Sequence, residues 1–230
     1  MRFLALATDY DGTLATEGAV DPQTVTALRR LAATGRKLIL VTGRQLNDLL
    51  RVFPDARLFD AVVAENGAVL HRPATGDTRV LAPPPPAHFV ETLRRRRVEP
   101  LWRGQVVVAT VQPNDTAVVD VIRELGLDLQ VILNKGSVMV LPASVDKATG
   151  LRAALDELAL APERVVAIGD AENDQAFLAT SGYGVAVANA LDTLKATARH
   201  VTRGEAGAGV REIIDSLISD DWRRDEPPPK

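Results

Sequence analysis

Residues 7–18 read ATDYDGTLATEG, and they set two acids, Asp9 and Asp11, one residue apart directly behind the apolar run Phe3-Leu4-Ala5-Leu6. A short apolar run closed by Asp and Gly reads as a buried strand ending in a turn. Side chains alternate along a strand with a period near two, so Asp9 and Asp11 can face the same side, and Gly12 lets the backbone turn sharply around them.

Outward from this stretch, short apolar runs alternate with amphipathic ones. The pattern predicts a strand over 3–8, a helix over 22–33, a strand over 37–41 and a helix over 45–52. The first helix carries its own punctuation: Asp21 as N-cap, Pro22 at the first helical position, and Gly35 after the end. Strands whose neighbours in sequence are helices pair in parallel, in a sheet covered on both faces.

The rhythm breaks at Ala82-Pro83-Pro84-Pro85-Pro86, a stiff extended segment. Beyond it the pattern predicts a helix over 88–97, a strand over 105–111, a helix over 115–125, and strands over 129–133 and 137–141 joined by a hairpin turn at Asn134-Lys135-Gly136. After Pro142 the first rhythm resumes, with helices over 147–158, 172–178 and 208–218 and strands over 164–168 and 184–187. The expected fold class is therefore α/β. Residues 1–82 and 143–219 form a Rossmann-like parallel-sheet core, residues 83–142 an inserted α+β cap, and the polar residues 220–230 a free, disordered tail.

The chain's 230 residues are enough for a sizeable core. Its 27 basic and 30 acidic residues leave a formal charge of -3, which speaks against nucleic acid or an acidic membrane as partner but leaves phosphate-sized ligands open. The absence of cysteine excludes disulfides, thiolate metal sites and cysteine nucleophiles. His71, His88 and His200 are too scattered for a zinc site. Asp9 interrupts the opening apolar run, so no export signal is expected, and no run reaches the roughly 18 apolar residues of a membrane helix. The expected location is the cytoplasm.

Ligands of open α/β sheets bind at the carboxyl ends of strands, and four such ends carry candidates. The first holds Asp9 and Asp11. The second, Leu40-Val41-Thr42-Gly43-Arg44, offers a hydroxyl and backbone N–H groups at a helix start, which suit an anion. The third is Lys147, a mobile point charge able to reach a phosphoryl oxygen. The fourth is Gly169-Asp170-Ala171-Glu172-Asn173-Asp174, with acids four apart. Two carboxylates ~4 Å apart repel by roughly 4 kcal/mol at an effective dielectric of 20, so Asp9, Asp11, Asp170 and Asp174 in one crevice call for a cation. Mg²⁺ suits an all-oxygen site that is shared with a phosphate.

These motifs, together with Glu65-Asn66-Gly67-Ala68 and Gly184-Val185-Ala186-Val187-Ala188-Asn189-Ala190, resemble the haloacid dehalogenase superfamily over nearly the whole chain. They are most similar to its phosphatases whose cap lies between the second and third motifs, such as archaeal-type phosphoglycolate and sucrose phosphatases. The resemblance implies a phosphomonoesterase in which Asp9 attacks phosphorus to form an aspartyl phosphate. Asp11 would protonate the leaving oxygen and later deprotonate the attacking water.

The same resemblance implies Mg²⁺ held by Asp9, the Asp11 backbone carbonyl and Asp170, with Asp174 in its first or second ligand layer. The phosphoryl oxygens would be held by Thr42 and Lys147, with Gly43 and Asn173 assigned to the same phosphate site. An acid at position 11 separates phosphatases from dehalogenases and transport ATPases. The implied partner is a small phosphorylated metabolite, a sugar phosphate or phosphoglycolate. A phosphotransferase or phosphomutase and a receiver-like signalling module are the alternatives. Trp102, Arg103 and Lys135 are candidates to contact the leaving group, and Arg94 to Arg97 read as a solvated helix face.

Overall fold

The computed structural model describes residues 1–134 and 136–222. Its first half runs β1 (Ala5–Asp9), α1 (Pro22–Ala33), β2 (Lys37–Val41), α2 (Leu46–Val52), β3 (Ala61–Ala64), β4 (Val69–His71) and β5 (Thr78–Val80). A second unit follows: α3 (Ala87–Arg95), β6 (Trp102–Arg103), β7 (Val108–Val111), α4 (Asp115–Glu124), β8 (Leu129–Asn134) and β9 (Ser137–Pro142). The chain then returns through α5 (Lys147–Glu157), β10 (Val165–Gly169), α6 (Gln175–Thr180), β11 (Tyr183–Ala186), α7 (Asp192–Thr197), β12 (His200–Val201) and α8 (Ala206–Asp220).

The large sheet has the order β12-β11-β10-β1-β2-β3-β4-β5. Its first six members are parallel. Every residue of β1 and β10 is buried, as expected of central strands covered by helices on both faces. Local chemistry starts α1 as the sequence predicts, Asp21 accepting a hydrogen bond from the Gln23 N–H, and a reciprocal capping box of Asp146 and Thr149 starts α5.

The purely parallel expectation fails at one edge, where β4 and β5 run antiparallel. Only Glu65–Ala68 separate β3 from β4, far fewer than the dozen or more residues a parallel crossover requires. The predicted helix over 172–178 is also interrupted: Glu172–Asp174 form a single 3-10 turn before α6 begins.

The small antiparallel sheet, ordered β6-β7-β9-β8, encloses with α3 and α4 its own apolar cluster of Phe89, Val90, Leu93, Val98, Val108, Val118, Val121, Val138 and Val140. Val106, Val107, Met139 and Leu141 pack instead into the main core and dock this unit on the large sheet.

The tail expected to hang free from residue 220 is anchored at its start. Asp220 closes α8, Asp221 pairs with the buried Arg36 at 2.8 Å, and the Trp222 ring packs edge-on against Tyr183 and His200. Burial opposes the charge on Asp221, but hydrogen bonds from the Arg2 N–H, Arg36 and the Phe3 N–H outweigh it and hold its carboxyl below the usual carboxylate range. An indole gains more by covering apolar surface than the polar composition around it foretells. Residues 223–230 lie outside those described.

Candidate active site

Strand register builds the site. Asp9 pairs with Val41 and Thr8 with Ile168, so Asp9, Thr42 and Asp170 emerge side by side at the carboxyl edge of the sheet. Lys147, first residue of α5, arrives from the other side. Its helix sits tightly on the Glu65–Gly67 turn: a Cβ on Gly67, whose φ is +105°, would lie 1.9 Å from the Asp146 carbonyl oxygen. Only glycine accepts both that conformation and that contact.

The result is a buried charge cluster. Lys147 Nζ donates to Asp9 Oδ1 and to Asp174 Oδ1, both at 2.6 Å. One carboxylate oxygen from each of Asp9, Asp170 and Asp174 lies within 4.8 Å of the others, and all three residues are buried. Burial, opposed by Lys147 and reinforced by Asp174 and Asp170, pushes the Asp9 carboxyl well above its ordinary range. For Lys147 burial works the other way, yet Asp174 and Asp9 overcome it and push the ammonium up. One lysine thus faces three carboxylates. That excess of buried negative charge, presented on oxygen alone, fits a hard divalent cation.

The acids are not equivalent. Asp174 Oδ2 accepts the N–H groups of Asp170 (2.9 Å) and Ala171 (3.0 Å) while Oδ1 takes Lys147, so both its oxygens are engaged in holding the loop and the lysine. Asp170 Oδ1 accepts from the Thr13 hydroxyl at 2.9 Å, a partner the sequence does not single out. Asp11 is not among the clustered acids and forms a two-pronged pair with Arg44, Nε to Oδ2 at 2.7 Å and Nη2 to Oδ1 at 2.8 Å. Thr42 is buried, its Oγ1 accepting from the Arg44 N–H at 3.1 Å. Asn173, expected at the phosphate, donates through Nδ2 to Asn66 Oδ1 at 2.9 Å, and Asn66 in turn reaches Met139 Sδ at 3.0 Å.

A cleft of about 580 Å³ opens over Asp9, Asp11, Gly43 and Arg44, within the range of small-ligand sites. Its opposite wall comes from the inserted unit, where Trp102, Thr110, Asn134, Ser137 and Met139 offer uncharged side chains. Of the cap residues expected near a leaving group, Trp102 lines the cleft, Arg103 stands exposed outside its lining, and Lys135 lies outside the described residues.

Glu65 binds the two units together, and the sequence reading noted it only as part of a motif. Its buried carboxylate accepts the backbone N–H groups of Gln105 (2.9 Å), Val106 (2.8 Å) and Val107 (2.8 Å). A Cβ on Gly104 would stand 2.5 Å from that carboxylate. Glu65→Ala strands the buried Val106 and Val107 N–H groups and frees the more exposed Gln105 N–H, and is expected to cost roughly 3 kcal/mol. Urea unfolding measures it; an unchanged midpoint would show that the carboxylate carries no weight in seating the cap.

A mostly parallel α/β sheet thus carries a lysine-bridged acidic crevice at its carboxyl edge, beneath a second, antiparallel sheet. The sequence profile of haloacid dehalogenase-like hydrolases matches residues 6–105 and 130–214. A phosphoglycolate phosphatase of Methanothermobacter thermautotrophicus is 31% identical over 218 residues, covering 91% of this chain and 96% of the relative. One of Haloarcula marismortui is 32% identical, covering 91% and 95%. Among solved structures, a haloacid dehalogenase-like hydrolase from Bacteroides thetaiotaomicron superposes with a TM-score of 0.80 at 20% identity, covering 94% of this chain and 99% of the other. A haloacid dehalogenase-like hydrolase from B. subtilis gives 0.72 at 19%, covering 94% and 100%. The chain belongs to the haloacid dehalogenase-like hydrolases, in their phosphatase branch. Among the described residues no helix is long and apolar enough to cross a membrane.

Proposed function

We propose that the protein hydrolyses a small phosphomonoester, with 2-phosphoglycolate the first substrate to test, through a phosphorylated Asp9. The observation that carries this is the Asp9 carboxylate at the cleft floor, 2.6 Å from the buried Lys147 Nζ. In the first half-reaction an Asp9 oxygen bonds to phosphorus, the ester P–O bond breaks, and Asp11 delivers its proton to the leaving oxygen. In the second, Asp11 takes a proton from water as that water attacks phosphorus, releasing inorganic phosphate and restoring Asp9.

Lys147 offsets charge on Asp9 and on the phosphoryl oxygens, while Thr42 and Gly43 line the end of β2 where those oxygens would rest. Asp9, Asp170 and the Asp11 carbonyl would hold Mg²⁺, with Asp174 ordering the loop behind them. A bound Mg²⁺ supplies the charge neutralisation that lets a carboxylate approach a phosphate dianion.

The relatives named above support 2-phosphoglycolate, and the size of the cleft supports a small leaving group. The test is phosphate release from 2-phosphoglycolate and a panel of sugar phosphates. Release is expected to stop with EDTA and return with excess Mg²⁺. No release from any ester would overturn the proposal, and an isomerised sugar phosphate in place of free phosphate would mark a mutase.

A further inference from the structure

We infer that Arg44 is the positioning residue for Asp11, fixing the plane of its carboxyl so that the same group serves both half-reactions. This rests on the acid–base role proposed for Asp11. Burial alone does not fix Asp11. Its side chain is 36% exposed, and it sits on a tight turn where the Tyr10 carbonyl accepts the Leu14 and Ala15 N–H groups and Gly12 has φ +90°. A carboxyl group there has several rotamers open to it.

Arg44 is held at several points besides its fork on Asp11. Its N–H donates to Thr42 Oγ1 at 3.1 Å, and its carbonyl accepts the Glu65 N–H at 2.9 Å. Its Nη1 donates to Asp48 Oδ2 at 2.8 Å, and its guanidinium lies 5.3 Å from the centre of the Tyr10 ring, itself fixed by a Tyr10 hydroxyl bond to the Gly18 carbonyl. A cation anchored this way is a platform, and the two parallel bonds of a guanidinium–carboxylate fork fix the orientation of what it holds.

The arrangement is compatible with both halves of the cycle. Each carboxylate oxygen can accept more than one hydrogen bond, so a forked Asp11 keeps acceptor capacity for the attacking water. Once Asp11 carries the proton taken from that water, one bond of the fork yields to it. The other oxygen still accepts from Arg44 and keeps the plane, until the proton passes to the next leaving oxygen.

The test compares three esters in the wild type, Arg44→Ala and Arg44→Lys: 2-phosphoglycolate, its carboxylate-free analogue 2-hydroxyethyl phosphate, and 4-nitrophenyl phosphate, whose leaving group departs without a proton. With both alkyl esters, Arg44→Ala should lower kcat/KM about 10²- to 10⁴-fold, the worth of a placed acid. With the nitrophenyl ester it should lower kcat/KM less than about tenfold, because acid catalysis contributes little there. Arg44→Lys should remain impaired, since an ammonium has no fork, and added guanidinium should restore Arg44→Ala.

Equal losses on all three esters, or no loss on any, would overturn the inference. A loss confined to 2-phosphoglycolate and expressed in KM would also overturn it, by making Arg44 a receptor for the substrate carboxylate. A wild type inactive on all three would instead overturn the phosphatase proposal, and this inference with it.

Discussion

Asp9→Asn is expected to lose phosphate release by about 10⁴-fold or more, on the scale seen when a covalent nucleophile is removed, and to do so without unfolding the protein. The amide matches the carboxylate in size but cannot bond to phosphorus as an anion. The same change relieves the buried cluster, because burial and the neighbouring Asp174 and Asp170 hold the Asp9 carboxyl well above its ordinary range. The sign follows from linkage: a group whose folded pKa is raised contributes stability below its unfolded value of about 3.9, and that contribution is lost as pH rises through the raised value. At neutral pH the metal-free wild type bears this loss and Asp9→Asn does not.

The variant should therefore melt no lower than the metal-free wild type at pH 7, and the wild type alone should lose stability between the ordinary carboxylate range and neutrality. Thermal unfolding across pH with EDTA present, beside single-turnover phosphate release, measures both. Activity within tenfold of wild type would remove Asp9 as nucleophile. A variant much less stable at pH 7 would mean that Asp9 is needed by Lys147 more than it is strained by its acidic neighbours.

Lys147→Met should do the opposite, costing stability and activity together. Lys147 is 2% exposed, and its partners Asp9 and Asp174 are 4% and 0% exposed, so its removal leaves three buried carboxylates with no cation among them. Removing one partner of a buried charge pair typically costs about 3–5 kcal/mol, because the remaining charge is stranded away from water. The Lys147 ammonium is pushed above its ordinary value, so the stability it contributes is complete below about 10.4 and is lost only as pH rises through the raised value; at pH 7 it is intact.

The methionine variant can recover by taking up protons on its carboxylates, so its deficit against wild type should be largest near neutrality and shrink on acidification. Excess Mg²⁺ should also recover part of the deficit if the ion binds the folded state. Urea unfolding at pH 7 and at mildly acidic pH reads this directly. Equal stability at pH 7 would show that Lys147 is not the counter-charge of the cluster.

Much of this was legible in the sequence because it depends on local order. Strand, turn and acid follow one another in Asp9-Tyr10-Asp11-Gly12 and again in Gly169-Asp170, so the alternation of short apolar runs and helices is enough to bring both to one sheet edge. Lys147 is legible for the same reason, as the first residue of a predicted helix. Asn173 shows the limit of such reasoning. It lies inside the strongest motif, yet the single 3-10 turn over Glu172–Asp174 directs its amide to Asn66.

Arg44 and Glu65 were visible as letters but not as roles. Their partners, Asp11 at 33 residues' distance and Gln105 to Val107 at 40 to 42, are set by long-range packing that no local period encodes. The antiparallel edge of β4 and β5 and the docking of Trp222 likewise depend on what surface is left to cover once the parallel strands are in place.

The sequence by itself determined the α/β class and set acids and a lysine at the strand ends, because apolar period, capping and turn chemistry act over a few residues. Only the tertiary structure decided how those charges divide. Asp9 and Asp174 share Lys147 in a buried cluster that also holds Asp170, whereas Asp11 stands outside it, paired with Arg44. A charge takes its partner from the nearest opposite charge and from the water it has lost, and both are properties of packing rather than of order along the chain.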